Sequence, residues 1–285
     1  MRRRLPDWIR ASIPAGDAYT GVRRILAEQK LNTICAEARC PNIGECLSAG
    51  TATFLLLGKV CTRNCRYCAV GRGAPAMPDP DEPARIAGAA RAMALSYVVV
   101  TSVTRDDLPD AGASHFAATV RLVREQVPGA RIETLLPDFR GGMEESLDAV
   151  LVARPDIVNH NIEVARPLYR SLRPLGDYRL SLDLLARAAR SGFPAKSGLM
   201  IGFGESREDI RSTLQDLLDA GCSMLTVGQY LQPRRSCPEV VRFYTPEEFS
   251  EIGEEARAMG FAAVQSGPLV RSSYHAAVMG SCCAD

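Results

Sequence analysis

Short apolar runs alternate along the chain with longer segments in which apolar residues recur every three or four positions. The runs are rich in β-branched residues and predict buried strands. The longer segments predict amphipathic helices, as in the series Phe116, Val120, Val123 and Val127. The predicted strands cover residues 51–58, 97–103, 131–137, 157–161, 196–202 and 224–230, with a candidate last strand at 261–265.

Six strand–helix units in succession predict an α/β protein. Strands that are apolar along their whole length are typical of a parallel sheet covered on both faces, with right-handed crossovers. We therefore expect a partial (β/α)6 TIM-type barrel at residues 51–260. An N-terminal extension at 1–50 and a C-terminal extension at 261–285 are expected to cross the barrel mouth.

Composition excludes several classes of function. The formal net charge of +1 and the lack of a long basic run argue against nucleic-acid binding. No apolar stretch approaches the roughly 18 residues of a membrane span, and the N-terminus lacks the apolar core of a signal peptide. Ten cysteines without such a signal indicate reduced thiols in a cytoplasmic protein.

Six of the ten cysteines fall into two triplets on either side of the first predicted strand. The first triplet is Cys35, Cys40 and Cys46, and the second is Cys61, Cys65 and Cys68. Structural zinc uses four ligands, and closed iron–sulfur clusters usually take four thiolates. Three thiolates hold three irons of a 4Fe–4S cluster and leave the fourth iron free to bind another ligand. A zinc or disulfide fragment remains the alternative for a lone triplet of this kind.

The second triplet resembles the cluster motif of the radical S-adenosylmethionine (SAM) superfamily. Its Cys-x3-Cys-x2-Cys spacing has Tyr67 directly before the last cysteine, and we count Tyr67 among the cofactor-binding residues. In that superfamily the open iron binds the amino and carboxylate groups of SAM. The neighbouring segments 37–46, 50–54 and 58–68, together with Gly267-Pro-Leu-Val-Arg-Ser-Ser-Tyr-His-Ala276, resemble lipoyl synthases over nearly the whole chain.

The resemblance to lipoyl synthases implies a specific reaction and its cofactors. It implies a sulfurtransferase that uses SAM to insert two sulfur atoms at C6 and C8 of a protein-bound N6-octanoyl-lysine, giving lipoyl-lysine. It further implies a second, auxiliary 4Fe–4S cluster on the first triplet, which donates the sulfur. The fourth ligand of that cluster maps onto Ser272, with Ser273 as second choice. Without the resemblance, the first triplet could simply fasten the extension to the barrel.

The resemblance also implies partners. The substrate is carried by octanoylated lipoyl carrier domains, on E2 subunits or on a glycine-cleavage H-type protein. A low-potential donor of the ferredoxin or flavodoxin type supplies electrons.

Polar residues follow or interrupt several predicted strands, where barrel enzymes place their chemistry. Buried polar groups need partners, and a zwitterionic ligand with a ribose could supply them. The alternative is that these residues satisfy one another and shape the barrel mouth. The candidates for contact with SAM or substrate are Thr101, Arg105, Glu133, His160, Asn161 and Lys196.

Three other functions remain open from the sequence. A biotin-synthase-like enzyme would share the second triplet but need neither the first triplet nor Ser272. A radical SAM enzyme with an electron-relay cluster would keep the iron of its first cluster after turnover. A non-catalytic iron–sulfur or zinc scaffold would neither bind nor cleave SAM.

Overall fold

A computed structural model describes residues 4–10, 16–48 and 53–281. Gly50, Thr51 and Ala52, which belong to the lipoyl-synthase-like segment at 50–54, lie outside the described residues. The same holds for Cys282 and Cys283. Both cysteine triplets and the segment that contains Ser272 lie within them.

The strands form one large sheet and one small ribbon. Their bounds are β1 Asn32–Thr33, β2 Thr53–Leu56, β3 Val60–Cys61, β4 Gly71–Arg72, β5 Tyr97–Ser102, β6 Arg131–Leu135, β7 Ile157–Asn159, β8 Ala195–Ile201, β9 Met224–Gln229 and β10 Ala263–Gly267. The large sheet has the order β1-β2-β5-β6-β7-β8-β9-β10. β1 pairs with β2 antiparallel, and every other pair is parallel.

Helices alternate along the chain with the parallel strands of the large sheet. Their bounds are α1 Asp17–Glu28, α2 Ile34–Glu37, α3 Ile43–Ser48, α4 Glu82–Ala92, α5 Ala113–Gln126, α6 Met143–Val152, α7 Tyr169–Leu172, α8 Tyr178–Arg190, α9 Arg207–Asp219, α10 Pro246–Met259 and α11 Ala276–Ser281, with a 3-10 turn at Arg166–Leu168. The starts of α9 and α10 are set locally. In α10 the Thr245 hydroxyl accepts from the Glu248 amide, and the Glu248 carboxylate accepts from the Thr245 amide.

The α/β class and the parallel, incompletely closed barrel are confirmed. Among the described residues no pairing joins β10 to β1 or β2, so the barrel is open on that side. The largest difference from prediction is the last strand, which spans Ala263–Gly267 instead of 261–265. The helix α10 ends at Met259, and after a turn at Gly260 (φ 121°) the Phe261 amide caps it by donating to the Ala256 carbonyl, so Phe261 is not available to the strand.

The C-terminal part of the chain contributes to the barrel itself. β10 pairs with β9 in register from Ala263↔Met224 to Gly267↔Gly228. The predicted boundary at 261 would therefore separate a strand from its sheet, and the structure extends the barrel to Gly267. The segment after β10 then returns over the carboxyl ends of the strands, where it meets the N-terminal extension.

Candidate active site

A cavity of about 490 Å³ lies at the carboxyl ends of the parallel strands. This is the position at which barrel enzymes place their chemistry, and the volume is within the range of small-molecule sites. Its wall includes Cys35 and Cys40 of the first triplet, all three cysteines of the second triplet, Ser272 and Ser273. The fold thus brings two cysteine loops and the C-terminal segment to one cavity.

The loop of the second triplet is held at both ends. Its first residues pair with its last, because β3 and β4 form a two-stranded ribbon. The Thr62 hydroxyl and amide both donate to the Thr104 carbonyl (3.0 and 3.1 Å), and the Arg66 amide donates to Leu172 (2.8 Å). These bonds fix the loop against the barrel mouth independently of any ligand.

A buried arginine inside this loop ties it to two neighbouring loops. Arg63 is 4% exposed and makes two hydrogen bonds of 2.7 Å to Asp106. It also donates to Asp138 at 2.5 Å, and its amide donates to the Cys61 sulfur at 3.4 Å. Burial raises the pKa of Asp138, but the hydrogen bond and charge of Arg63 outweigh burial and leave that pKa below 3.8.

Two cysteines of the second triplet, Cys65 and Cys68, lie in surroundings that disfavour their thiolate forms. Burial raises the pKa of Cys65 and raises that of Cys68 to about 12. The charge of Arg173 lowers the Cys65 pKa only partly. Binding iron would replace the proton and supply the missing positive charge, as metals do for coordinating thiols. The donor set of three soft sulfurs facing one cavity therefore fits an iron–sulfur cluster.

No three His, Cys, Asp or Glu side chains within residues 4–10, 16–48 and 53–281 converge closely enough to hold a single metal ion. A 4Fe–4S cluster is much wider than one ion, so its thiolates surround the cluster and need not meet at a point.

Four charged residues that were not among the sequence-based candidates line the same cavity, namely Arg39, Glu163, Arg173 and Arg271. Glu163 and Arg173 lie next to the second triplet. Burial raises the pKa of Glu163. Burial lowers that of Arg173, but nearby tyrosines and Glu163 raise it above its ordinary value, so Arg173 stays cationic. In the sequence, Glu163 is marked as a candidate only by its position two residues after Asn161. Nothing in the sequence marks Arg173 as a residue of the cavity wall.

The cavity polarity matches a zwitterion. The Glu163 carboxylate accepts from the Asn161 amide at 3.2 Å, and Arg173 donates to the Asn161 carbonyl at 3.2 Å. The Arg173 charge also acts on the Cys65 thiol. A carboxyl group and a cationic guanidinium group therefore stand together beside the second triplet, where an amino acid moiety would find a hydrogen-bond acceptor and a positive charge.

The residues proposed for SAM or substrate contact separate into two groups. Tyr67, Thr101, His160 and Asn161 line the cavity. Arg105 is buried, does not line the cavity and forms two 2.8 Å bonds with Asp107. Glu133 and Lys196 lie deeper in the barrel, fully buried, and pair with each other at 3.0 Å. For these three the structure shows the partners that the alternative interpretation requires.

The first triplet lies beside the C-terminal segment. Asn42 donates to the Leu269 carbonyl at 2.6 Å, and the Tyr274 hydroxyl donates to Glu45 at 2.9 Å. The Cys35 thiol hydrogen-bonds to Thr53, whose hydroxyl donates to Ser273 at 2.8 Å. The positive charge of Arg271 acts on Cys40. The segment 269–274 therefore lies next to residues that neighbour the first triplet in the fold.

Ser272 itself hydrogen-bonds toward the barrel. Its hydroxyl donates to the Asn161 side-chain oxygen at 2.6 Å and accepts from the Asn159 amide at 3.1 Å. Ser272 and Ser273 thus point to different partners, Ser272 to the end of β7 and Ser273 to Thr53.

Two family profiles match the sequence. The profile of the radical SAM superfamily matches residues 55–217, and that of the N-terminal domain of lipoyl synthase matches residues 1–40. The second profile includes Cys35 and Cys40, and the first includes the whole second triplet.

Curated lipoyl synthases are similar to the chain over almost its full length. The protein of Methylococcus capsulatus is 53% identical over 275 residues, covering 96% of this chain and 85% of the relative. The protein of Chlorobium phaeovibrioides is 52% identical over 276 residues, covering 96% and 97%. Identity at this level over nearly the entire chain extends to both extensions as well as the barrel.

Solved structures show the same barrel at low sequence identity. Methylornithine synthase (PylB) matches with a TM-score of 0.53 at 16% identity, over 67% of this chain and 56% of that one. The FeFe-hydrogenase maturase HydG of Carboxydothermus hydrogenoformans matches with a TM-score of 0.56 at 13% identity, over 81% and 65%. These likenesses support the fold.

No helix among the described residues combines the length and apolar character needed to cross a bilayer.

Proposed function

Since this chain belongs to the lipoyl synthase family of the radical SAM superfamily, we propose that its two cysteine triplets hold two clusters with different tasks. The enzyme uses SAM and a SAM-binding 4Fe–4S cluster to insert sulfur into an octanoyl group carried by a protein. What remains to be assigned is which residues of this chain hold each group.

We assign Cys61, Cys65 and Cys68 to the cluster that binds SAM. When bound, this cluster supplies the electron that cleaves SAM and so starts hydrogen abstraction from the octanoyl chain. Arg173 is proposed to bind the carboxylate of SAM and Glu163 its ammonium group. The carboxylate–guanidinium bond is charge-assisted and directional, and it would orient the sulfonium toward the loop.

We assign Cys35, Cys40 and Cys46 to the auxiliary cluster, with Ser272 as fourth ligand. The observation that carries this assignment is the contact between the first triplet and the segment 269–274. An alkoxide is a hard ligand among soft sulfurs and would be the first to leave iron. Ser273 is the second candidate, and its hydrogen bond to Thr53 beside Cys35 supports it.

The apolar part of the cavity is proposed to hold the octanoyl chain. Its wall includes Leu55, Val103, Leu136, Leu199 and Met200. Burying each methylene of the chain against these side chains contributes about 0.8 kcal/mol. The proposed carriers are lipoyl domains of E2 subunits or an H-type protein, and the proposed electron donor is a ferredoxin or flavodoxin.

A single-turnover assay on anaerobically reconstituted enzyme tests the two-cluster assignment. It would use SAM, dithionite and an octanoyl-lysine peptide, and would measure 5′-deoxyadenosine and peptide mass together. We expect Cys65→Ala to abolish both products. We expect Cys35→Ala to keep deoxyadenosine formation but lose the mass gain of two sulfurs minus two hydrogens.

Cys222→Ala is the matched control, because Cys222 is a buried cysteine outside both triplets. It should retain both products. Sulfur insertion by Cys35→Ala at the wild-type level would contradict the assignment of the sulfur-donating cluster to the first triplet. Loss of deoxyadenosine in Cys35→Ala, with the iron of the second triplet intact, would also contradict the separation of tasks.

A further inference from the structure

A fully buried ion pair lies beneath the cavity and is not part of its wall. Lys196 donates to both oxygens of Glu133 at 3.0 Å, and neither side chain is exposed to solvent. The Tyr97 hydroxyl adds a third donor to Glu133 at 2.6 Å. Burying two charges is costly even when they are paired. We therefore expect this pair to hold another group in place.

Asn159 connects the ion pair to the segment 269–274, which contains Ser272. Its side-chain amide nitrogen donates to Glu133 at 2.7 Å and to Ser272 at 3.1 Å. A paired carboxylate only accepts hydrogen bonds, so Glu133 requires that the nitrogen of the amide, and not its oxygen, face it. The second N–H of the same nitrogen is then aimed at the Ser272 oxygen.

The Ser272 hydroxyl is consequently held from two sides. It accepts from Asn159 and donates to the oxygen of Asn161 at 2.6 Å. The Asn161 amide is oriented in turn by Glu163, which accepts from its nitrogen. Two asparagines at the end of β7, each oriented by a glutamate, therefore place one hydroxyl that comes from 111 residues further along the chain.

We propose that Asn159 is the positioning residue for Ser272 as a cluster ligand, and that Glu133 fixes the orientation of its amide. The inference rests on the proposed function, in which Ser272 is the fourth ligand of the auxiliary cluster. Binding iron as an alkoxide would require Ser272 to release its proton and with it the hydrogen bond that it donates to Asn161. The N–H of Asn159 can still donate to the ligand oxygen, which favours the negatively charged form of that oxygen and aligns its lone pairs. Removing such a partner of a metal ligand typically costs 10–100-fold in metal affinity.

The test isolates the auxiliary cluster and measures how firmly it keeps its iron. All variants carry Cys61→Ala, Cys65→Ala and Cys68→Ala, so that only the first triplet binds iron. After anaerobic reconstitution, the rate of iron release to a chelator is followed by absorbance. The variants are Asn159→Leu, which keeps size and branching without the N–H, Ser272→Ala, and the two combined.

We expect Asn159→Leu to release iron 10–100-fold faster than its parent. We expect the combined variant to release iron no faster than Ser272→Ala alone, because both changes remove the same interaction. Ser197→Ala is the matched control, since Ser197 is a buried hydroxyl on neighbouring β8 that bonds to the Ile162 amide and not to Ser272. It should release iron at the parent rate.

Release at the parent rate in Asn159→Leu, or effects of Asn159→Leu and Ser272→Ala that add, would overturn the positioning role. Release at the parent rate in Ser272→Ala would instead show that the ligand assignment itself is wrong, which separates the two failures. Asn159→Ala repeats the measurement with a side chain too small to overfill the site. Thermal unfolding of each iron-free variant shows whether it is folded before reconstitution.

Discussion

At the scale of single residues, the histidine at the cavity wall is buried as a neutral base. Burial, together with the charges of Arg173 and Arg63, lowers the pKa of His160 to about 4, although Asp138 and the hydrogen bond to Leu136 act in the opposite direction. One ring nitrogen, Nδ1, hydrogen-bonds to the Leu136 carbonyl at 2.8 Å. Because a carbonyl only accepts, Nδ1 carries the proton, and Nε2 is left as an unprotonated acceptor.

This burial predicts a loss of stability on mild acidification. The pKa of His160 in the folded protein lies below its unfolded value of about 6.5. The contribution of the neutral imidazole to the free energy of unfolding is therefore complete above pH 6.5 and declines as pH falls toward 4. Between pH 7 and pH 5 the free energy of unfolding should fall by about 2 kcal/mol on account of His160 alone. Urea unfolding of wild type and His160→Gln at both pH values measures this difference.

His275→Gln is the control for that experiment, because His275 is exposed and the variant keeps His160. It should show the wild-type loss between pH 7 and pH 5, whereas His160→Gln should lose about 2 kcal/mol less. Equal losses of unfolding free energy in His160→Gln and wild type would show that His160 is not buried as a neutral base.

At the scale of elements, the segment 269–274, which contains Ser272, packs directly on strand β9. A Cβ atom placed on Gly228 would lie against the Val270 carbonyl oxygen, well inside van der Waals distance. The backbone angle of Gly228 is one that alanine adopts readily, so the obstacle is space and not conformation. A glycine on β9 is therefore needed to bring the segment that follows, Arg271 to Tyr274, onto the barrel mouth.

We expect Gly228→Ala to displace this segment and to destabilise the fold by about 1–3 kcal/mol, as overpacked sites do. The auxiliary cluster should lose iron faster, because Ser272 moves with the Val270 backbone. Urea unfolding and iron release to a chelator measure the two effects. Gly88→Ala is the control, because Gly88 lies in helix α4 with open space around its Cβ position.

Alanine at position 88 should instead raise stability by about 0.5–1 kcal/mol, since glycine is disfavoured within helices. Wild-type iron retention and stability in Gly228→Ala would mean that the segment does not depend on contact with β9.

At the scale of the whole molecule, the N-terminal extension and the C-terminal segment meet across the barrel mouth. The contacts join Asn42 to Leu269 and Glu45 to Tyr274, and a further contact joins Thr53 of the neighbouring strand β2 to Ser273, each across more than 200 residues of sequence. The barrel has its own apolar core, built around strands β2 to β9 and the helices that cover them. Ligands that bind only the native state stabilise the parts that they contact.

Loading both clusters should therefore slow hydrogen exchange in a pattern that follows these contacts. We expect slower exchange in residues 34–47, 61–68 and 270–276, with little change in helices α5 and α9. Mass-detected exchange on iron-free and reconstituted protein measures it. Slowing confined to 61–68 would mean that the first triplet and the segment 269–274 do not share a cluster.

Local sequence determined the elements and the donor chemistry. Each of the six predicted strands lies within two or three residues of its observed bounds, because apolar periodicity is set by the strand and helix repeats themselves. The thiol spacing of the second triplet is likewise local, since all three cysteines lie in one loop of eight residues.

Tertiary structure alone decided which polar residues face the cavity. Glu133 and Lys196 were recognisable as polar residues in apolar strands, but only packing shows that each is the partner of the other, 63 residues apart. Glu163 was marked only by its position two residues after Asn161, and Arg173 by nothing, because their place in the cavity wall beside Cys65 depends on how distant segments pack. The sequence by itself determined strands, helices and soft ligands through local geometry. Whether a buried charged residue faces the cavity or belongs to the core depended on contacts between residues distant in sequence, and only the folded chain brings those residues together.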